Sequence, residues 1–332
     1  MMDAIERLTQ TLLYEGYILW PYRRSAVKNA QRWTIGGVYP PAFAEQSGGA
    51  DRSTVRAECL IEACEGAEVE VTGRYLQVVA RQMMRAEQDG LAPVDQLVVG
   101  QERYLSWDEA VERQCRGSLV LRSYPQLRVF PIDVPPGATS EELPGGAITR
   151  TWEPLSGVMT IAAEPIETRD ERTLFKVSTD LRNTAQWQGF DRGAAMRRTF
   201  VSAHLVLNAN AGSFASLVDP PDHLREATRA CKSQGLWPVL VGEDGAQYTM
   251  LASPIILSDY PRIAPESPGD LFDGGEIDQL LILNILALTD DERDEMRATD
   301  PRARAIIERC TMLAPQDLQR LHGVIRAMRP IS

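Results

Sequence analysis

Histidine and lysine are nearly missing from this sequence: three of each stand among 332 residues, against 32 arginines. The histidines, His204, His223 and His322, form no H-x-x-x-H, H-E-x-x-H or H-x-H pair. A zinc or two-histidine iron site would need ligands gathered from distant parts of the chain, so surface or structural roles are expected. The arginine bias reads as genome composition. Cysteine is sparse and odd in number (Cys59, Cys64, Cys115, Cys231, Cys310), with no C-x-x-C. Cys59 and Cys64, five residues apart on one strand, fall on opposite faces, so free thiols are expected rather than a metal or redox pair. No G-x-S-x-G, G-x-G-x-x-G or G-x-x-x-x-G-K-[ST] occurs. Neither a nucleophile elbow nor a nucleotide-phosphate cradle is marked. Cys231 with His223 or His204 is the Cys–His pairing to weigh, and packing is that cysteine's expected role.

Long apolar runs are missing too. The longest, Leu280–Leu288, is broken by Asn284 and falls far short of a bilayer span. The Met-Met-Asp-Ala-Ile-Glu start has no basic region followed by an apolar one, so a cytoplasmic location off the membrane is expected. A formal net charge of −11 argues against a general nucleic-acid or anionic-membrane surface. With 44% apolar residues, the chain can still bury the core of one large or two smaller domains.

What is present has mostly period two. In Thr173–Leu181, Phe175, Val177 and Leu181 share one face while Lys176, Ser178 and Asp180 share the other. Arg198–Asn208 alternates likewise, with Val201, Ala203, Leu205 and Leu207 inward, and Asn208–Gly212 reads as a hairpin turn into Ser213–Val218. Val55–Ala63, Glu68–Ala80, Leu155–Ala163 and Leu236–Val241 are further strands, with turns at Gln88–Gly90 and Glu243–Gly245. Ser106 and Glu109 stand as a capping box, so Ser106–Cys115 is expected as a short helix. The Pro- and Gly-rich segment 126–146 reads as a linker or long surface loop that could divide the sheets. After Gly275 the period becomes helical. Glu276–Leu288 is apolar nearly all round, Thr289–Glu292 is a capping box, and Asp300-Pro301 opens another helix; Leu318, Leu321 and Ile325 share one face of the last. The expectation is an α+β fold. Antiparallel, sandwich-like sheets fill residues 1–260, and an acidic loop with a helical region fills 261–332.

Two segments carry candidate sites. Ser253–Asp278 packs four prolines, three glycines and six carboxylates into 26 residues, a shaped loop too long to be a plain connection. Within it Glu266, Asp270, Asp273 and Glu276 have the oxygen chemistry of a hard-cation site, although helix capping by Asp273 and dipole complementation explain the same carboxylates. Tyr14–Tyr39 runs against the overall charge. It carries Tyr14, Tyr17, Trp20, Tyr22, Trp33 and Tyr39 with Arg23, Arg24, Lys28 and Arg32, and Glu15 is its single acid. Such a mixture suits a protein interface combined with core packing, ahead of single-stranded nucleic acid. The basic arm is also expected to meet the acidic loop, within one molecule or between partners.

Several stretches resemble a known family: Leu13–Arg23 (LYEGYILWPYR), Ser25–Asn29 (SAVKN), Arg32-Trp33, Trp152–Gly157 (WEPLSG), Ser253–Leu257 (SPIIL) and Ala264–Asp273 (APESPGDLFD). Members of that family are encoded beside actinobacterial-type, high-affinity nickel–iron hydrogenases and their maturation proteins. The likeness runs from about residue 12 to 325, and the family brings no catalytic residues to carry over. It implies an accessory or assembly factor that contacts hydrogenase subunits or maturation proteins, without a cofactor or catalysis of its own. Grouped Cys and His that would hold nickel or an iron–sulfur cluster are not in the sequence. The alternatives are a metal-assisted hydrolase or isomerase using the acidic loop 266–278, and a single-strand binder using the arm 14–39.

Overall fold

Apolar alternation converts much of the chain into strands long enough to build two sheets. The computed structural model describes residues 2–18, 21–26, 29, 32–33, 35–169, 172–262, 282 and 284–312. Helices α1 (Met2–Tyr14) and α2 (Pro41–Gln46) come first. Strands β1 (Thr54–Ala63), β2 (Glu68–Glu87), β3 (Gly90–Val94), β4 (Gln96–Val99), β5 (Glu102–Leu105) and β6 (Trp107–Val120) follow. Next are β7 (Gln126–Val134), β8 (Gly137–Leu143), β9 (Gly146–Trp152), β10 (Leu155–Arg169) and β11 (Arg172–Asn183). Helix α3 (Arg192–Met196), β12 (Val201–Ala209), β13 (Ser213–Phe214), helix α4 (Arg225–Ala230), β14 (Trp237–Leu240) and β15 (Thr249–Ser253) complete the sheet region. Helices α5 (Asp290–Thr299) and α6 (Pro301–Met312) lie beyond it.

The paired strands run antiparallel in two main sheets. One has five strands in the order β13-β1-β11-β10-β7; the other has eight, with the path β14-β15-β12-β2-β9-β8 and with β3 and β6 also paired to β2. Strand β2 is the spine of the larger sheet. Residues 69–76 of one edge take β12 and residues 80–85 take β9, while the other edge takes β6 and then β3. The sheets face each other across an apolar layer. Val55, Ala57, Cys59 and Ile61 from β1 and Phe175, Val177 and Leu181 from β11 meet Val69, Val71 and Tyr75 from β2 and Ala203, Leu205 and Leu207 from β12. This is an α+β, sandwich-like architecture. Gly157 shows how tightly it closes: a Cβ there would lie 2.6 Å from the Phe200 ring and 2.7 Å from the Arg182 carbonyl oxygen. Only glycine lets Phe200 sit edge-on to Tyr75, with ring centroids 4.7 Å apart.

The larger sheet is also covered on its second face. Leu8 and Leu12 of α1 pack on Val206, Val239 and Leu251. The arm residues Tyr14, Tyr17, Tyr22 and Trp33 pack with Leu76, Trp107 and Val201 and with Met296, Ala303 and Ile306 of the C-terminal helices. Burial on both faces is why β12 is continuously buried from Val201 to Leu207 rather than alternating.

Three expectations are corrected. Ser106–Cys115 is not a helix: it belongs to β6, which pairs with β2 from Trp107↔Arg81 to Val120↔Glu68. Apolar Trp107, Ala110, Val111 and Cys115 stand at helical spacing, but the long ladder to β2 outweighs that pattern. Segment 126–146 is not a loop; β7 is the edge of the smaller sheet and β8 the edge of the larger one, so Pro135-Pro136 carries the chain from sheet to sheet. Pro131 is tolerated because β7 is an edge strand. Asn208–Gly212 does not close a hairpin either. It crosses between sheets, since β13 pairs with β1, and Ser213–Val218 is a strand only at Ser213–Phe214.

The turns at Gln88-Asp89 and Glu243–Gly245 and the capping box at Thr289/Glu292 form as expected, and α6 begins at Pro301. The expected helix Glu276–Leu288 is described only at residues 282 and 284–288, of which 282 and 284–286 are helical and 287–288 are not. The last helix, with Leu318, Leu321, His322 and Ile325, lies outside the described residues.

Candidate functional site

The arm packs against the C-terminal helices α5 and α6. Tyr14, Tyr17, Tyr22 and Trp33, expected to combine core packing with a protein interface, are core residues of this chain, between 0% and 6% exposed. Tyr39 is buried as well. Tyr17 donates to Asp300 Oδ2 at 2.7 Å, and Asp300 Oδ1 accepts the Arg302 N–H at 2.8 Å, capping α6. Burial, reinforced by Asp300, pushes the Tyr17 hydroxyl well above its ordinary range and keeps it protonated as a donor. Tyr14 donates to Glu112 Oε1 at 2.8 Å and accepts from Arg302, whose guanidinium lies over its ring. Arg23 Nη2 sits 3.1 Å from Glu292, while Glu295 accepts the Ser25 N–H at 2.9 Å. Hydrogen bonds from Thr289 hold the Glu292 carboxyl below its usual range. Among the described residues the basic arm therefore meets acid on helix α5 and at Asp95. Trp20 and Lys28 of the arm, and Glu266, Asp270, Asp273 and Glu276 of the acidic loop, lie outside the described residues.

Arg81 fastens this assembly to the sheet. It is 6% exposed on β2 and donates to the Leu105 carbonyl at 2.7 Å, to Glu109 Oε1 at 2.8 Å and to the Thr299 carbonyl at 2.6 Å. Thr299 ends α5, so the guanidinium satisfies an orphan carbonyl and complements the negative end of the helix dipole.

Beside Arg81 opens a groove of about 860 Å³ between the arm, the β2–β6 pair and α3. Five arginines line it, and four have carboxylates: Arg24 with Asp95 at 3.4 Å, Arg81 with Glu109 at 2.8 Å, Arg192 with Asp51 at 2.8 Å and Arg197 with Asp108 at 3.3 Å. Arg32 differs. Its guanidinium carbon lies 3.5 Å from the Trp107 ring centroid and 4.1 Å from that of Trp33, and Nη2 donates to the Asp108 carbonyl at 2.7 Å. Among the described residues no carboxylate pairs with it, and burial pulls its guanidinium down to about 10, still charged at neutral pH. Arg32 Nη1, Trp33 Nε1 and Trp107 Nε1 are buried without a hydrogen-bond partner among the described residues. Trp33 sits at φ +60°, a left-handed conformation that a bulky side chain rarely adopts. Arg24, Arg32 and Trp33 were legible as candidates in the sequence. Trp107 and Arg81 were hidden by the helical reading of Ser106–Cys115, and the signal that finds them is the match of β6 to β2.

The remaining candidates stay apart. His204 is 1% exposed on β12; its Nδ1–H donates to the Ser202 carbonyl at 3.1 Å, and burial lowers its pKa to about 4. His223 is exposed, 3.5 Å from Glu62. Cys231 packs with Leu60, Leu174 and Leu224 against the other sheet, away from His204. Cys59 is buried and Cys64 exposed, and no disulfide forms. Among the described residues no three His, Cys, Asp or Glu side chains gather as a metal site, and no helix is long and apolar enough to cross a membrane. No protein-family model matches the chain, and no curated protein sequence does.

Proposed function

We propose that this protein is a cytoplasmic accessory factor acting through protein contacts, and that its partner is a subunit or maturation protein of a nickel–iron hydrogenase. The partner's identity rests on the likeness of residues 13–33, 152–157 and 253–273 to chains encoded beside such enzymes. One observation supports the contact mode. Strand β7 forms an outer edge of the five-stranded sheet and carries Leu127 and Val129, 64% and 57% exposed, on its solvent face. An edge strand presents an unpaired row of backbone N–H and C=O groups to which another chain can add a strand, and the two apolar side chains would set register. Co-purification of a tagged copy from a hydrogenase-expressing host tests this. Hydrogenase subunits or maturation proteins should be captured, and a Leu127→Lys/Val129→Lys variant of unchanged stability should lose them. A clean pulldown, together with unaltered hydrogen uptake after deletion of the gene, would remove the reading.

A further inference from the structure

We propose that the groove beside Arg32 binds a small multivalent oxyanion, a polycarboxylate or a polyphosphate, with Arg32 and the indole N–H groups of Trp33 and Trp107 as its deepest donors. The chemistry follows from what the three groups need. Each carries a buried N–H without a partner among the described residues, and all three are donors only. A ligand must therefore bring acceptors, several of them. Buried polar groups are nearly always satisfied, and three unpartnered donors at neighbouring residues lining one groove form a cluster that a ligand's acceptors would complete.

Charge points the same way. The other four lining arginines have carboxylate partners within 3.4 Å, so Arg32 is the lining cation without a counter-charge among the described residues. The indole faces of Trp107 and Trp33 stack on the flat side of the guanidinium, so an acceptor for its unpartnered Nη1 must approach in plane, as carboxylate and phosphate oxygens do. A volume of about 860 Å³ lies in the range of small-molecule sites. The side chains of Arg24 and Arg197 are 36% and 42% exposed at the rim and already paired with Asp95 and Asp108, so the attraction for an anion comes chiefly from Arg32. This site is independent of the β7 edge, so either proposal can fail alone.

The test is titration of the full-length protein with citrate and, separately, with pyrophosphate, each at ionic strength matched with sodium chloride. Tryptophan emission and calorimetry are read together. Saturable binding that perturbs tryptophan emission is expected, and chloride should not reproduce it. Binding of citrate alone assigns a carboxylate ligand, of pyrophosphate alone a phosphate ligand, and of both the shared oxyanion chemistry. Arg32→Gln should weaken binding at least tenfold, as loss of a charge-assisted hydrogen bond does. Trp107→Phe keeps the packing, removes one donor and should weaken binding severalfold. Arg197→Gln at the rim should weaken it less and flatten its salt dependence. Should Arg32→Gln fail to fold, the other two variants decide. Absence of saturable binding by either anion, or equal affinity in Trp107→Phe and Arg197→Gln, would overturn the site.

Discussion

The layer between the two sheets and the seam under the arm are both buried, yet they are built from different materials. Between the sheets, Ile61, Phe175, Val177, Phe200 and Leu205 supply apolar bulk, and contact is set by shape. Under the arm, equally buried aromatics are interleaved with Arg81, Asp300 and Tyr17 in directional bonds, and with Arg32 on two indole faces. Shape packing dominates stability and tolerates conservative repacking, whereas a polar network is strong only while every member keeps its partner. On the outer face of the smaller sheet the described polar contacts are fewer: Arg56 pairs with Asp180 at 2.6 Å, and buried Glu58 accepts the Lys232 N–H at 2.8 Å.

Four measurements would break or sharpen that contrast. The largest effect should come from the apolar layer: Phe200→Ala leaves a cavity beside Tyr75 and should destabilise the protein by about 4 kcal/mol in chemical denaturation. A loss below about 1 kcal/mol would show that the sheets are not held by this layer. Next is Arg81→Met, which preserves volume but leaves Glu109 and the Thr299 carbonyl short of a donor. It should cost about 3 kcal/mol. Hydrogen exchange should rise first in α5 and α6; uniform exchange across the sheets would contradict the seam's separate role.

The third is pH. His204 is held neutral by burial, with a pKa of about 4 against an ordinary 6.5. Protons therefore bind the unfolded chain more readily, so this contribution is complete above pH 6.5 and drains as pH falls towards 4. Over that window roughly 3 kcal/mol should be lost, and His204→Gln should flatten the profile. An identical profile in the variant would locate the acid sensitivity elsewhere. The smallest effect belongs to the partly exposed Arg23–Glu292 pair. Arg23→Ala should lose about 0.5 kcal/mol at low salt and less at 1 M, and a salt-independent loss would mean that Arg23 works through its buried stem.

The sheets were legible in sequence wherever one face of a strand is buried and the other wet. Phe175, Val177 and Leu181 alternate for that reason and fell into place. Legibility failed where tertiary context replaces alternation. Strand β8, GATSEEL, is an edge strand exposed along much of its length, so it carries no apolar period to read. Helix α1 was readable in principle, since Ile5, Leu8 and Leu12 recur at spacings of three and four; only the face of β12 that it covers needs the fold. The groove was half visible. Arm composition flagged Arg24, Arg32 and Trp33, whereas Arg81 and Trp107 arrive from strands far along the chain, and no local pattern announces a pairing set by a long-range ladder.

The Tyr17–Asp300 bond joins residues 283 positions apart. During synthesis the arm is therefore made long before the helices that seat it, because Asp300 follows Tyr17 by that many residues. Until those helices emerge, Tyr17 and Tyr14 lack Asp300 and Arg302, and nascent-chain chaperones have a long interval in which to bind the unfinished seam.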